Sequence, residues 1–515
     1  MKRLIISCDG TWNTPDQEEG GRKCPTNVVK FHNSVLPVDS AGVKQETYYH
    51  PGVGTEGGAL SRIAGGAYGK GLSRNIKSAY KWLACHYETG DEIYLLGFSR
   101  GAYTARSLAG FIGRCGLPVT SGQTEARIWE RVETAYLNGY RERDPKWRKP
   151  SWQWNDAPVS IKFLGVWDTV GALGIPDDLA ILNLIDDPGK WSFHDTELGK
   201  HVNRARHAVA IDELRASFTP TLWTDGNGVP LADSGDGRVK QFWFAGVHSD
   251  VGGGYEHCGL SDLSLKWMID EAAAAGLAFD PALTSQLSPD FRGPIHNSLK
   301  GPFKALKTRP RAIPSFTNAV GFHDSSLQRH KAPPITDAPY HRTVNLPNVG
   351  DTTTIPIYSR ALWNSTGIWL EPGAAYKFTA KGEWKDSSIV CGPAGTADGK
   401  FQLGETAHLI GSFIGKLEGG FSWISGNKDA DFWMTRRRED MPWFSLVGVI
   451  ANDGDHGAKP AADGTPDQHE YFLIGKGPVK RKIDSPGYLH AFANDAWSFY
   501  QNNNGSVMLT VERVG

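Results

Sequence analysis

The chain has 515 residues, 40% of them hydrophobic, with 18 tryptophans and a formal net charge of -1. That length exceeds one ordinary domain and implies two or three, each with enough apolar material for a core. The near-neutral balance excludes a general nucleic-acid binder, whose affinity needs a basic surface, and shows no strongly polybasic membrane anchor.

Met1 to Cys8 superficially has the look of a lipoprotein leader. Its apolar core is only a few residues long and Asp9 follows at once, so Arg3 to Ser7 reads as a first strand. The expectation is a cytoplasmic chain without a cleaved signal, and no run of about 18 apolar residues predicts a membrane helix. Glu46 to His50 is a second strand, and Ser73 to His86 has helical spacing with Ser73 as N-cap. Glu92 to Phe98 is an apolar strand running into Gly97-Phe98-Ser99-Arg100-Gly101, with a small-residue helix start behind it. Ile161 to Trp167, Ala208 to Ile211 and Gln241 to Val247 are further strands, and Ser261 to Ala275 a helix. Apolar runs alternating with helices predict an α/β domain over residues 1–285, a mostly parallel sheet with helices on both faces. Residues 286–345 are rich in proline and glycine and read as a connection. From 346 to 515, short strands between Gly, Asn and Asp turns predict an all-β sandwich. The six cysteines (Cys8, Cys24, Cys85, Cys115, Cys258, Cys391) include no C-x-x-C pair, so reduced core residues are expected.

A serine on a sharp strand-to-helix turn needs glycine on both sides, and the strained turn lifts its hydroxyl out of the sheet. Ser99 is therefore the candidate nucleophile, expected to be solvent-exposed. A serine hydroxyl needs a base, and the base an orienting acid. In open α/β sheets such residues sit in loops at the carboxyl ends of strands. Asp168, after Ile161 to Trp167, and His248, after Gln241 to Val247, meet that rule and give the order Ser99, Asp168, His248. Asp250 competes with Asp168 for the acid role, but two positions from His248 it reads better as a brace for the histidine loop. For the oxyanion, the backbone of Arg100 is one expected donor and the Gly10-Thr11 loop after the first strand supplies the other. Asp9 reads as a loop brace, and His50 as lining the same cleft. Trp191 and Trp223 are candidates for touching a lipid interface, with core packing the alternative. The Gly65 to Gly71 stretch lacks the Ser or Thr of a phosphate-binding P-loop, and no zinc-like spacing is present.

Cys8-Asp9-Gly10-Thr11-Trp12-Asn13, Tyr49 to Thr55, Gly97 to Tyr103, Gly165 to Gly171 and Gly246 to Gly254 together resemble one family. It is the α/β-hydrolase family that includes the class 1 type VI secretion lipase effectors. The resemblance spans roughly the first 280 residues. It implies an α/β-hydrolase-like fold, a Ser99–Asp168–His248 triad and esterase chemistry, often phospholipase A activity on glycerophospholipids. It implies no cofactor for catalysis. It also implies type VI export into a target cell's periplasm, with a secretion spike and an immunity protein as partners.

The C-terminal part is similar to calcium-dependent galactose-binding bacterial lectins of the jelly-roll type, through Trp363 to Leu370, Leu489 to Asp495 and Asn502 to Ser506. That resemblance implies calcium (Ca2+) on Asp495, Asn502 and Asn503, and carbohydrate as a ligand. Insertions at Gly419 to Asp440 and Asp453 to Gln468 interrupt the pattern. The rival readings are a carbohydrate- or surface-binding delivery module with an inert hydrolase fold, and another esterase or peptidase on the same triad.

Overall fold

A computed structural model describes residues 1–10, 16, 18–19, 21–52, 68–142, 144, 158–170, 198–225, 228–300, 303–304, 306–396, 436–454, 468–497 and 499–515. Thr11, Trp191, the Gly65-Gly66-Ala67 start of the glycine stretch and most of both insertions lie outside the described residues.

The chain divides into two compact units. In the first, strands β1 (Arg3–Cys8), β2 (Gln45–His50), β3 (Glu92–Phe98), β4 (Ile161–Trp167), β5 (Ala205–Ala210) and β6 (Val239–Phe244) form one sheet in the order β2-β1-β3-β4-β5-β6. Every pairing in it is parallel. Strands β1, β3 and β4 are buried almost throughout, as their apolar runs require when helices cover both faces, whereas edge strand β2 is largely half-exposed. One apolar cluster joins α2 (Tyr68–His86), α3 (Arg100–Cys115) and α4 (Glu125–Thr134) to the sheet, and another joins α1 (Asn27–Ser34) and α6 (Gly259–Ala274). Helix α2 begins five residues before the expected cap, so Ser73 lies inside it and Gly69 and Gly71 do not stop it.

Residues 286–340 do not behave as a free connection, because most of them belong to the first unit. Trp243 of β6 bridges to Phe322, and Ser326 donates to the Trp243 carbonyl at 3.0 Å. Arg329 is fully buried and donates to the carbonyls of Phe291 and Gly293.

The second unit holds antiparallel strands: β7 (Thr352–Tyr358), β8 (Asn364–Leu370), β9 (Ala375–Asp386), β10 (Ile389–Cys391), β11 (Leu446–Ala451), β12 (Glu470–Leu473), β13 (Val479–Lys482), β14 (Gly487–Ala493) and β15 (Asn503–Arg513). They form a four-stranded sheet, β8-β14-β11-β12, and a five-stranded one, β10-β9-β15-β7 with β13 on β9. The sheets share a core of Ile368, Leu446 and Leu489 from one and Phe378, Trp384 and Leu509 from the other. The period-2 pattern of β9, with Tyr376, Phe378 and Ala380 buried between half-exposed neighbours, is what one covered face demands.

Candidate active site

Ser99 sits between β3 and α3 with φ 58° and ψ -124°, a backbone region costing roughly 1–3 kcal/mol for a residue with a side chain. The flanking glycines are steric necessities. A Cβ on Gly97 would come within 2.3 Å of the Gly101 carbonyl oxygen, and one on Gly101 within 2.1 Å of the Cys8 carbonyl oxygen. The strand-to-helix turn therefore closes only with hydrogen at both positions, and it sits directly against the end of β1. The Ser99 N–H donates to the Trp167 carbonyl at 3.0 Å, which ties the turn to β4. Ser99 is only 7% exposed, so the residue is largely buried where the turn alone implied exposure to solvent.

Asp168 directly follows β4 and also has positive φ, 36°. Its N–H donates to the Ala208 carbonyl of β5 at 2.7 Å. The carboxylate faces His248 at the start of α5 (His248–Gly252), with Asp168 Oδ2 to His248 Nδ1 at 2.5 Å. Both side chains are buried. An ionised Asp168 can only accept, so that contact favours the tautomer with the proton on Nδ1 and a lone pair on Nε2. Phe98 and Phe218 flank the imidazole, at 4.6 Å and 4.9 Å between ring centroids. Among the described residues the Ser99 hydroxyl makes no hydrogen bond to this ring. Such contacts are often long without substrate and tighten when it binds. Burial lowers the imidazole from its ordinary value, and the Asp168 hydrogen bond opposes that drop.

Three groups beyond the expected site residues surround the pair. Arg311 grips Asp168 with two nitrogens, Nη1 to Oδ1 at 2.6 Å and Nη2 to Oδ2 at 2.9 Å, and also donates to the carbonyls of Ala210 and Phe218. Burial raises the Asp168 carboxyl, but the Arg311 charge and the His248 bond outweigh it and hold the group well below the usual carboxylate range. Glu213 accepts from the His248 backbone N–H at 3.2 Å, from Arg215 and from the Ser298 hydroxyl. His207 accepts the Thr169 N–H at 3.1 Å and holds the Gln241 side chain at 2.8 Å. Burial pushes it down to about 3, so it is a neutral brace for the Asp168 loop.

Asp250 accepts from the Val247 N–H at 3.0 Å and pairs with His296 Nδ1 at 2.5 Å, so it holds the histidine loop. Asp9 accepts from Thr26 at 2.7 Å, from Tyr49 at 2.8 Å and from the Gly10 N–H at 2.7 Å. Gly10, one expected oxyanion donor, thus already spends its N–H on Asp9. Arg100 opens α3 directly after the serine, at the positive end of the helix. His50 ends β2, separated from the serine strand by β1, with Nδ1 at 2.9 Å from the Pro51 carbonyl. Trp223 is 2% exposed beneath the Arg106 guanidinium, which makes it core and removes it as a lipid contact.

In the second unit, Asn503 donates to Asp495 at 2.8 Å and Asn502 to Asp386 at 2.9 Å. The amide oxygens of Asn502 and Asn503 are buried without a hydrogen-bond partner. Burial and the nearby Asp386 push the Asp495 carboxyl up to about 7.

Residues 2–271 match the family model described as "T6SS, Phospholipase effector Tle1-like, catalytic domain". "Uncharacterized protein YEL023C" of Saccharomyces cerevisiae (strain ATCC 204508 / S288c) is 30% identical over 254 residues, covering 44% of this chain and 34% of that protein. The chain thus spans about a third of the length of this curated relative. An uncharacterized protein from Pseudomonas aeruginosa is 19% identical with a TM-score of 0.34, covering 56% of this chain and 49% of that one. The Tle1 effector, solved bound to the VgrG spike of the type 6 secretion system, is 19% identical with a TM-score of 0.27, covering 49% and 51%. The PllA-like lectin that forms the EclA N-terminal domain is 13% identical with a TM-score of 0.19, covering 32% of this chain and 98% of that one. Likenesses this distant add nothing to the fold described above.

Proposed function

The chain belongs to the Tle1-like family of type VI secretion phospholipase effectors, and we propose that it is a serine-dependent carboxylic ester hydrolase of the phospholipase A type. The observation that carries this reading is the buried Asp168–His248 contact at 2.5 Å, beside a serine held at φ 58°. In the proposed reaction, His248 Nε2 takes the Ser99 proton as the hydroxyl attacks the acyl carbonyl. The same nitrogen then protonates the leaving alcohol, and water releases the fatty acid by the reverse route. Asp168 keeps the proton on Nδ1 and stabilises the imidazolium. The Arg100 N–H, at the start of α3, would donate to the oxyanion in this reading. Thr11 stays a proposed second donor, whereas Gly10 serves only by exchanging its Asp9 bond. A secretion spike as carrier and an immunity protein as inhibitor are proposed from family membership alone.

The test is fatty-acid release from glycerophospholipid vesicles by the pure chain, together with labelling by a serine-directed phosphonate. We expect one adduct, on Ser99, and loss of release in proportion to labelling. Labelling elsewhere, or release that continues at full labelling, removes Ser99 from the reaction. An inert delivery module gives neither signal, and a peptidase cleaves peptides in preference to lipid esters.

A second proposal concerns calcium. Two carboxylates, Asp386 and Asp495, and two buried amide oxygens without partners are hard donors of the kind calcium takes. Asp495, Asn502 and Asn503 would hold the ion, with Asp386 beside them, and calcium would supply cross-linking of the loop to β9 and no hydrolytic step. Without the ion, the raised Asp495 favours its protonated form, so stability is lost as pH rises from the unfolded value of about 3.9 through about 7. Millimolar calcium is expected to raise Tm above neutral pH, and Asp495→Asn to abolish that rise. An equal Tm with calcium and with chelator excludes the site.

A further inference from the structure

The outward face of the five-stranded sheet concentrates charge that the whole-chain balance hides. Along β9 the residues pointing away from the core are Lys377, Thr379, Lys381, Glu383 and Lys385. Pairing puts Lys480 of β13 opposite Lys377 and Lys482 opposite Ala375, on the same face. Five lysines thus share this surface with two glutamates, Glu383 and Glu512, and Glu512 is already paired with Lys377. The β9 lysines alone extend along roughly 26 Å of strand, at about 3.3 Å per residue. Lys377 and Lys480 stand directly opposite each other, a like-charge pair in which Glu512 offsets Lys377.

The same face exposes large apolar side chains. Met508 of β15 lies opposite Lys381 and is 42% exposed, Tyr358 of β7 lies opposite Ser506 and is 55% exposed, and Val390 of β10 lies opposite Lys385 and is 51% exposed. Pro356 lies opposite Met508 on edge strand β7, where its missing N–H costs no ladder bond. Neither feature serves the core, which lies on the opposite side of these strands.

We propose that this sheet face is a docking surface for a bilayer rich in anionic phospholipid. Lysines reach phosphate headgroups on long apolar stems, while Met508, Tyr358 and Val390 enter the boundary between headgroups and acyl chains. A second copy of the chain fits less well, because a two-fold contact through this face sets lysine against lysine. The inference is independent of the hydrolytic mechanism: it needs the face alone.

Binding is measured by co-sedimentation of full-length Ser99→Ala protein, which leaves the lipid intact. The vesicles are phosphatidylcholine alone, and equal parts phosphatidylcholine and phosphatidylglycerol. The expected result is capture by the mixed vesicles only, weakening with salt. Each lysine near the surface adds about fivefold, so Lys381→Glu/Lys385→Glu/Lys480→Glu lowers affinity by about 100-fold or more. Met508→Ser/Tyr358→Ser is expected to remove the binding that survives high salt. Circular dichroism and Tm verify folding, and Lys→Gln replacements at the same three positions repeat the test should charge reversal disturb the sheet. With Ser99 restored, the lysine variant is expected to cleave a soluble short-chain ester at the parent rate, so a docking failure stays distinct from a failure of hydrolysis. Equal capture of parent and lysine variant, or equal capture by both vesicle types, overturns the proposal. So does a parent dimer that the same substitutions dissociate without any vesicle binding.

Discussion

Replacing His248 with Ala is expected to lower kcat on a soluble ester by about a million-fold, with the fold retained. The size of the effect follows from the environment of the side chain. The imidazole is buried, held through Nδ1 at 2.5 Å by Asp168 and packed between Phe98 and Phe218. No other described histidine stands at the carboxyl ends of β3 and β4 to replace it: His207 is committed to Thr169 and Gln241, and His296 to Asp250. Losing the base also prevents protonation of the leaving alcohol, so both halves of the reaction fail together. The wild-type pH profile provides a second check. Burial lowers the His248 pKa, so the acid limb of kcat/KM is expected below the ordinary imidazole value of about 6.5, because the base stays neutral further into acid. A variant retaining activity within about tenfold of the parent would refute the assignment.

What was legible in the sequence is what local sterics and strand ends determine. Gly97 and Gly101 announce the turn because each is pressed on a backbone carbonyl where no Cβ fits. Asp168 and His248 are legible because both emerge where a buried strand stops. The same rule applied after Ala208 to Ile211 would have found Glu213, two residues beyond the apolar run. Arg311 had no such signal. It lies 143 residues from Asp168, in a stretch whose prolines and glycines look like a spacer, and only folding against the sheet brings it to the carboxylate. Asp386 is hidden for a related reason, since its place beside Asn502 comes from β9 pairing with β15. The depth of Ser99 is not legible either, because a tight turn fixes the direction of a side chain but not what covers it. The lysine face needed the register of β9, β13 and β15, since a net charge of -1 averages it away.

Arg311→Leu is expected to cost about 3–5 kcal/mol of stability, a large share of what a domain has. The carboxylate of Asp168 is completely buried, and Arg311 supplies two of its hydrogen bonds and its main counter-charge. Removing the guanidinium leaves the His248 contact and one backbone N–H, from Ala210, against the full desolvation penalty. In the parent, the depressed carboxyl contributes stability that is complete above the unfolded value of about 3.9 and is lost as pH falls through the lower folded value. In the variant the folded value rises, so that contribution disappears at higher pH and acid unfolding moves toward neutrality. Chemical denaturation across pH 4 to 8 reads both effects. The double variant Arg311→Leu/Asp168→Asn separates charge from packing, because a neutral amide needs no counter-ion. It should regain part of the lost stability while remaining a poor catalyst, its amide unable to hold the imidazolium. Should Arg311→Leu unfold within about 1 kcal/mol of the parent at every pH, the guanidinium is no necessary partner of the buried acid.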